Sequence, residues 1–128
     1  KVRQVVEYAL TEIPAGKILL GVPNYGYDWI LPFMRGESQA VTIGHVEAVQ
    51  IAINNNAVIQ FDETAQSPYF TYERDNVWHE VWFEDVRSLS AKYNLMKEYN
   101  LRGMAVWQIM RLFRAMWLLF DDYFERME

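Results

Sequence analysis

The stretch Ile18-Leu19-Leu20-Gly21-Val22-Pro23, continued by Asn24-Tyr25-Gly26-Tyr27-Asp28-Trp29, decides the fold of this chain. Its first half is a short apolar run, which is typical of a strand buried on both faces of a parallel sheet. Its second half turns at Pro23 into a group of aromatic side chains. Large rings with polar edges at the end of a strand suit a sugar-binding site, and they equally suit a core.

A second short strand ends in the same way. Met104-Ala105-Val106-Trp107 is apolar and finishes on an indole. Because the carboxyl ends of parallel barrel strands meet on one rim, we expect Trp107 and the rings after Pro23 to share that rim. The residues alone fit both sugar contact and core packing.

The chain between these two strands has a different pattern. Residues 58–62, 69–73 and 77–83 alternate apolar and polar side chains, which predicts half-exposed antiparallel strands. Arg74-Asp75-Asn76 is the expected tight connection of a hairpin.

Helix signals complete this middle region. Thr42 is expected to cap a helix, which three consecutive asparagines at residues 54–56 then end. We therefore expect residues 31–83 to be an α+β insertion with its own small core. Residues 1–30 and 84–128 are expected to form one barrel-like part on either side of it.

Composition limits the function classes. The chain has 128 residues, 52% of them hydrophobic, which is enough for one core, whereas a complete eight-stranded barrel needs about 250 residues. The net charge of −5 and the lack of a basic run argue against a nucleic-acid or anionic membrane partner. No apolar stretch approaches the ~18 residues of a membrane span, and with no Cys there is no thiolate chemistry.

Four segments in this order carry a family resemblance. They are the GVPNYGYDW stretch at residues 21–29, the FDETAQSPYF stretch at 61–70, and residues 82–88 and 104–107. Together they resemble the C-terminal part of a family-18 glycoside hydrolase, closest to the bacterial branch associated with spore germination and cortex lysis. The resemblance implies an α/β fold: the C-terminal portion of a (β/α)8 TIM barrel, about strands seven and eight with flanking helices, carrying an α+β insertion.

The resemblance also implies that this chain binds substrate, whereas the catalytic residues lie in another part of the protein. The family's catalytic signature, DxxDxDxE, is absent from these 128 residues, so we expect no catalytic residue in this chain. Trp107 matches the tryptophan that floors the subsite of the sugar to be cleaved, and Tyr25 matches a tyrosine that lines it. At Tyr27 a phenol stands where many chitinases carry an arginine. The full set expected to contact substrate is Tyr25, Tyr27, Asp28, Trp29, Trp107 and Gln108.

The implied function is part of a glycosidase that cleaves β-linked polysaccharide containing N-acetylglucosamine, either cortex peptidoglycan or a chitin-like chain. In this family the substrate's own N-acetyl oxygen attacks, so the reaction is substrate-assisted and retaining. We expect a polysaccharide substrate, no cofactor and no metal, because His45 and His79 have no metal-ligand spacing. The expected location is outside a bacterial cell, in the wall or spore, although no export signal is visible in these residues.

Two rival interpretations remain open. One is a non-catalytic carbohydrate-binding relative, and the other is an autonomous α+β interaction domain.

Two lone barrel strands leave unpaired edges, so we expect either the remaining half of the barrel or a homodimer to cover them. The acidic pairs Asp62-Glu63 and Glu84-Asp85 are interpreted as a turn and a helix cap rather than as a two-carboxylate site.

Overall fold

The computed structural model describes residues 1–124 and contains two sheets. The smaller sheet pairs strand β1 (Leu19–Pro23) with strand β7 (Gly103–Trp107) in parallel, from Leu19 opposite Gly103 to Pro23 opposite Trp107. The predicted pair of short apolar strands is therefore confirmed. Helix α1 (Val2–Leu10) precedes β1, and a single 3-10 turn connects them.

Two further helices complete this part of the chain. Helix α3 (Val86–Glu98) leads into β7, and helix α4 (Arg114–Tyr123) follows it. Of the pair Glu84-Asp85 predicted to cap a helix, Asp85 caps α3 by accepting hydrogen bonds from the backbone N–H groups of Arg87 and Ser88 at 2.9 and 3.0 Å. The buried side chains of this core are Val22, Leu89, Tyr93, Met96, Phe113 and Met116.

The larger sheet has five antiparallel strands in the order β3-β2-β6-β5-β4. These are β2 (Tyr25–Ile30), β3 (Ala40–Gly44), β4 (Gln60–Asp62), β5 (Ser67–Arg74) and β6 (Val77–Trp82). Helix α2 (His45–Asn54) is part of the second core. That core buries Ile43, Ala48, Ala52, Phe70, Tyr72, Val81 and Phe83.

Three local predictions in this region are confirmed. Asp75 and Asn76 have φ values of 53° and 60°, so β5 and β6 are joined by the two-residue turn that a hairpin prefers. Asn56, with φ of 51°, follows the end of α2. Asp62 accepts a hydrogen bond from the Ala65 N–H at 2.6 Å, which makes residues 62–65 the expected turn.

The predicted helix cap at Thr42 is wrong. Thr42 lies in β3, opposite Tyr27 of β2, and α2 begins after Gly44, whose N–H donates to Glu47 Oε2 at 3.3 Å. Pairing with β2 satisfies the backbone of residues 40–44, so this segment extends as a strand instead of entering the helix.

The change from one sheet to the other falls at Asn24, because β2 belongs to the five-stranded sheet. The division of the chain at residue 31 stays a prediction. Within residues 1–124, every helix is too short or too polar to cross a bilayer.

Candidate functional site

A row of aromatic rings begins where β1 ends. Alternate residues of a strand point to the same face, so Tyr25, Tyr27 and Trp29 share one face of β2. The centroids of Tyr25 and Tyr27 are 5.5 Å apart, and those of Tyr27 and Trp29 are 5.9 Å apart. Phe33 continues the row 5.4 Å from Trp29. Three of the predicted contact residues are thus side by side.

Asp28 lies on the opposite face of β2. Its buried carboxylate accepts a hydrogen bond from the Tyr72 hydroxyl at 2.6 Å and another from His79 Nδ1 at 2.9 Å. Burial, followed by the hydrogen bond to Asp28, raises the pKa of Tyr72, so this phenol stays protonated and donates. The structure therefore separates Asp28 from the row of rings, and its role as a sugar contact stays a prediction.

Trp107 and Gln108 stand at the end of β7, directly beside the end of β1. The Asn24 N–H donates to the Trp107 carbonyl at 3.1 Å, and a cis peptide bond joins Trp107 to Gln108. The Trp107 side chain is 70% exposed, so it is not core packing within residues 1–124. An exposed indole at the end of a strand is free to meet a ligand.

Asn24 is a structural part of this site that the sequence analysis missed. It is 1% exposed, and its amide donates to the carbonyls of Gln108 and Arg111 at 2.6 and 3.1 Å. The Oδ1 atom of the same side chain accepts a hydrogen bond from the Gln108 backbone N–H at 2.7 Å. A polar residue between Pro23 and Tyr25, at the end of an apolar strand, was the available signal. Asn24 holds the loop after β7 against the end of β1.

A buried ion pair lies close to Tyr25. Glu84 accepts hydrogen bonds from Lys92 Nζ at 2.8 and 2.9 Å and from the Ser88 hydroxyl at 2.6 Å. Burial raises the pKa of the Tyr25 hydroxyl, and contact with Tyr27 and the negative charge of Glu84 raise it further. Tyr25 therefore remains a protonated hydroxyl at neutral pH, able to donate a hydrogen bond to a ligand.

The Lys92→Met variant is expected to lower the free energy of unfolding by about 3 kcal/mol, because it leaves the Glu84 carboxylate buried without its partner. The two side chains are only 16% and 11% exposed, so water does not replace the lost ammonium. Urea unfolding of the full-length protein that carries this chain measures the change.

Lys97→Met is the matched control, since Lys97 is an exposed lysine of the same helix. The double variant Glu84→Gln, Lys92→Met is expected to recover much of the loss, because no charge is then left unpaired. A Lys92→Met protein as stable as the Lys97→Met protein would show that the Glu84–Lys92 ion pair does not stabilise the fold.

The two histidines occupy separate environments. His45 stacks on Phe113 with centroids 4.0 Å apart and donates from Nδ1 to the Glu84 carbonyl at 2.9 Å, whereas His79 pairs with Asp28. The part of the chain that the structure describes has no group of three or more metal-ligating side chains.

Comparison with known proteins gives the following likenesses. The chain is 52% identical over 124 residues to a cortical fragment-lytic enzyme of Bacillus subtilis (strain 168). This alignment covers 96% of the present chain and 29% of the Bacillus subtilis protein. It superimposes on the crystal structure of the Bacillus megaterium QM B1551 spore cortex-lytic enzyme SleL with a TM-score of 0.93 at 46% identity, covering 97% of this chain and 29% of that one. A chitinase from Chromobacterium violaceum ATCC 12472 gives a TM-score of 0.80 at 28% identity, over 91% of this chain and 35% of that one. The chain thus spans less than a third of the length of its two bacillary relatives.

The family model for glycosyl hydrolases family 18 matches residues 1–111. This range contains both β1 and β7, the whole five-stranded sheet and every predicted contact residue. The resemblance seen in the sequence is confirmed, and the chain belongs to glycosyl hydrolase family 18.

Proposed function

We propose that this chain is the C-terminal portion of a TIM barrel with an inserted subdomain. The barrel part comprises β1 and β7, as strands seven and eight, with helices α1, α3 and α4. The inserted part is residues 31–83, which contain α2 and four strands of the five-stranded sheet, whereas the fifth strand, β2, precedes it in the chain. The parallel pairing of β1 with β7 supports this assignment, since neighbouring barrel strands run parallel.

The proposed activity is hydrolysis of a β-linked polysaccharide containing N-acetylglucosamine, with cortex peptidoglycan as the substrate. One observation carries this proposal: β1 and β7 end side by side at Pro23 and Trp107, where the Trp107 side chain is exposed, and a row of aromatic side chains begins on β2 at the half-buried Tyr25. Barrel enzymes build their sites at the carboxyl ends of their strands. The printed names of the bacillary relatives, cortical fragment-lytic enzyme and spore cortex-lytic enzyme, favour cortex as the glycan.

In the proposed mechanism this chain binds and orients the sugar. Trp107 offers an indole face to the apolar face of the ring, and Tyr25 donates a hydrogen bond from a hydroxyl that stays protonated. The N-acetyl oxygen of the substrate attacks, and the proton donor belongs to residues outside this chain. Tyr27, Asp28, Trp29 and Gln108 complete the proposed contact set.

The proposed location is the spore or the cell wall, where such a substrate occurs. A partner is also proposed, because apolar side chains near the end of β7 are strongly exposed. Ile109, Met110 and Leu112 are 85%, 83% and 78% exposed. Contiguous apolar surface of this kind marks an interaction site, and we assign it to the remaining barrel residues or to a second copy of the chain.

The isolated 128-residue chain is expected to release no detectable product from N-acetylglucosamine oligomers, because the proton donor is missing. The full-length protein is expected to generate new reducing ends from the same oligomers and from spore-cortex fragments. Circular dichroism of the isolated chain checks that it is folded. Turnover by the isolated chain at a rate comparable to the full-length protein would contradict the proposal that the proton donor lies outside this chain.

A further inference from the structure

A second pair of aromatic side chains lies on the same sheet face as Tyr25 and Tyr27. In the register of the five-stranded sheet, Tyr27 of β2 is opposite Trp82 of β6, and Trp82 is opposite Tyr69 of β5. Directly opposed residues point to the same face. The neighbouring residues in register, Val81 and Phe70, point to the other face and are fully buried.

The orientation of this pair is fixed by its contacts. The rings of Trp82 and Tyr69 are stacked, with centroids 4.7 Å apart and planes 15° apart. Trp82 Nε1 donates to Glu80 Oε1 at 2.7 Å, and the Tyr69 hydroxyl donates to Gln60 Oε1 at 3.1 Å. A ring held in this way loses little conformational entropy when a ligand binds.

Tyr69 stacks on one face of the indole, on the side of β5. Trp82 is half-buried, and its neighbour in register on the β2 side, Tyr27, is 39% exposed. Polar groups border this position: the Glu80 carboxylate lies opposite Trp29, and the exposed Thr42 hydroxyl lies opposite Tyr27. An apolar ring face with acceptors and a hydroxyl around it matches the two chemical sides of a pyranose.

We propose that Trp82, supported by Tyr69, is a further sugar-binding position that extends the row of Tyr25 and Tyr27 across the sheet. Its ligand is a distal unit of the same β-linked N-acetylglucosamine chain, so this inference rests on the proposed function. The Glu80 carboxylate at its edge can accept hydrogen bonds from the hydroxyl groups of the sugar. Binding at this position increases the number of sugar units that the protein holds, and Trp82 takes no part in bond cleavage.

A comparison of KM values for long and short substrates tests this inference in the full-length protein. Trp82→Ala is expected to raise the ratio of KM for the N-acetylglucosamine hexamer to KM for the trimer about tenfold, a loss of the size expected for one aromatic contact. Trp82→Phe keeps an aromatic face and is expected to restore most of the hexamer affinity. Thermal unfolding of both variants checks that the sheet is intact.

Trp78→Ala is the matched control, because Trp78 is an exposed indole on the same strand, four residues from Trp82. An unchanged ratio in folded Trp82→Ala protein, or an equal rise in Trp78→Ala protein, would overturn the inference. Calorimetric titration with the hexamer separates the two proposals. Wild-type protein that binds the hexamer without hydrolysing it contradicts the proposed function, whereas a wild-type Kd for Trp82→Ala contradicts only the further site.

Discussion

The Trp107→Ala variant of the full-length protein is expected to lose about 100-fold in kcat/KM while its melting temperature barely changes. The indole is 70% exposed, so its removal costs little packing within this chain. It stands at the junction of β1 and β7, where it would position the sugar at the reacting bond. Loss of such positioning costs on the order of 10²-fold in rate. Steady-state kinetics on N-acetylglucosamine oligomers, with a thermal melt of the same sample, measures both quantities.

Val106→Ala is the control one residue away. Val106 packs against the core that contains Val22 and Leu89, so its truncation is expected to cost about 1–2 kcal/mol of stability. The kcat/KM of the folded enzyme should remain close to wild type. The opposite result, a severe loss of stability in Trp107→Ala with kcat/KM intact, would assign Trp107 to packing.

Gly26→Ala is expected to destabilise the full-length protein by about 3 kcal/mol or more. A Cβ added at Gly26 would overlap the Trp82 carbonyl oxygen and lie 2.5 Å from Phe83 Cβ and 2.7 Å from Phe83 Cα. These are mostly backbone atoms, so no flexible side chain moves aside, and β2 would have to separate from the end of β6. Urea unfolding measures the change.

Gly16→Ala is the matched control, because a Cβ there meets nothing within 4 Å. It is expected to change the free energy of unfolding by less than about 0.5 kcal/mol. Equal stability of the two variants would show that β2 has room to shift at Gly26. The close approach of the two strands would then be unnecessary to the fold.

The sequence predicted those features that nearby residues determine. The Asp75-Asn76 turn, the Asp85 helix cap and the apolar strands β1 and β7 each depend on side chains within a few positions, and all appear in the structure. Family membership followed from four segments in order, and the match to residues 1–111 confirms it.

Features that depend on distant pairing were missed. Residues 25–30 were expected to follow a barrel strand as a site segment, and they form a strand because β3 and β6 pair with both of their edges. The alternation of Tyr25, Tyr27 and Trp29 was a visible signal of this, and it places Asp28 on the other face. Asn24 was missed because its partners, Gln108 and Arg111, lie far along the chain.

The distance along the chain between Asn24 and Gln108 has a consequence for how the protein folds. These residues are 84 positions apart, so pairing β1 with β7 in an unfolded chain carries a large loop-closure entropy. The hairpins β2–β3 and β5–β6 involve much closer segments and form more readily. Once Tyr27 pairs with Trp82, only short segments separate the folded sheet from Pro23 at one end and from α3 at the other. We therefore expect the five-stranded sheet to form first and the junction that carries Trp107 to assemble last.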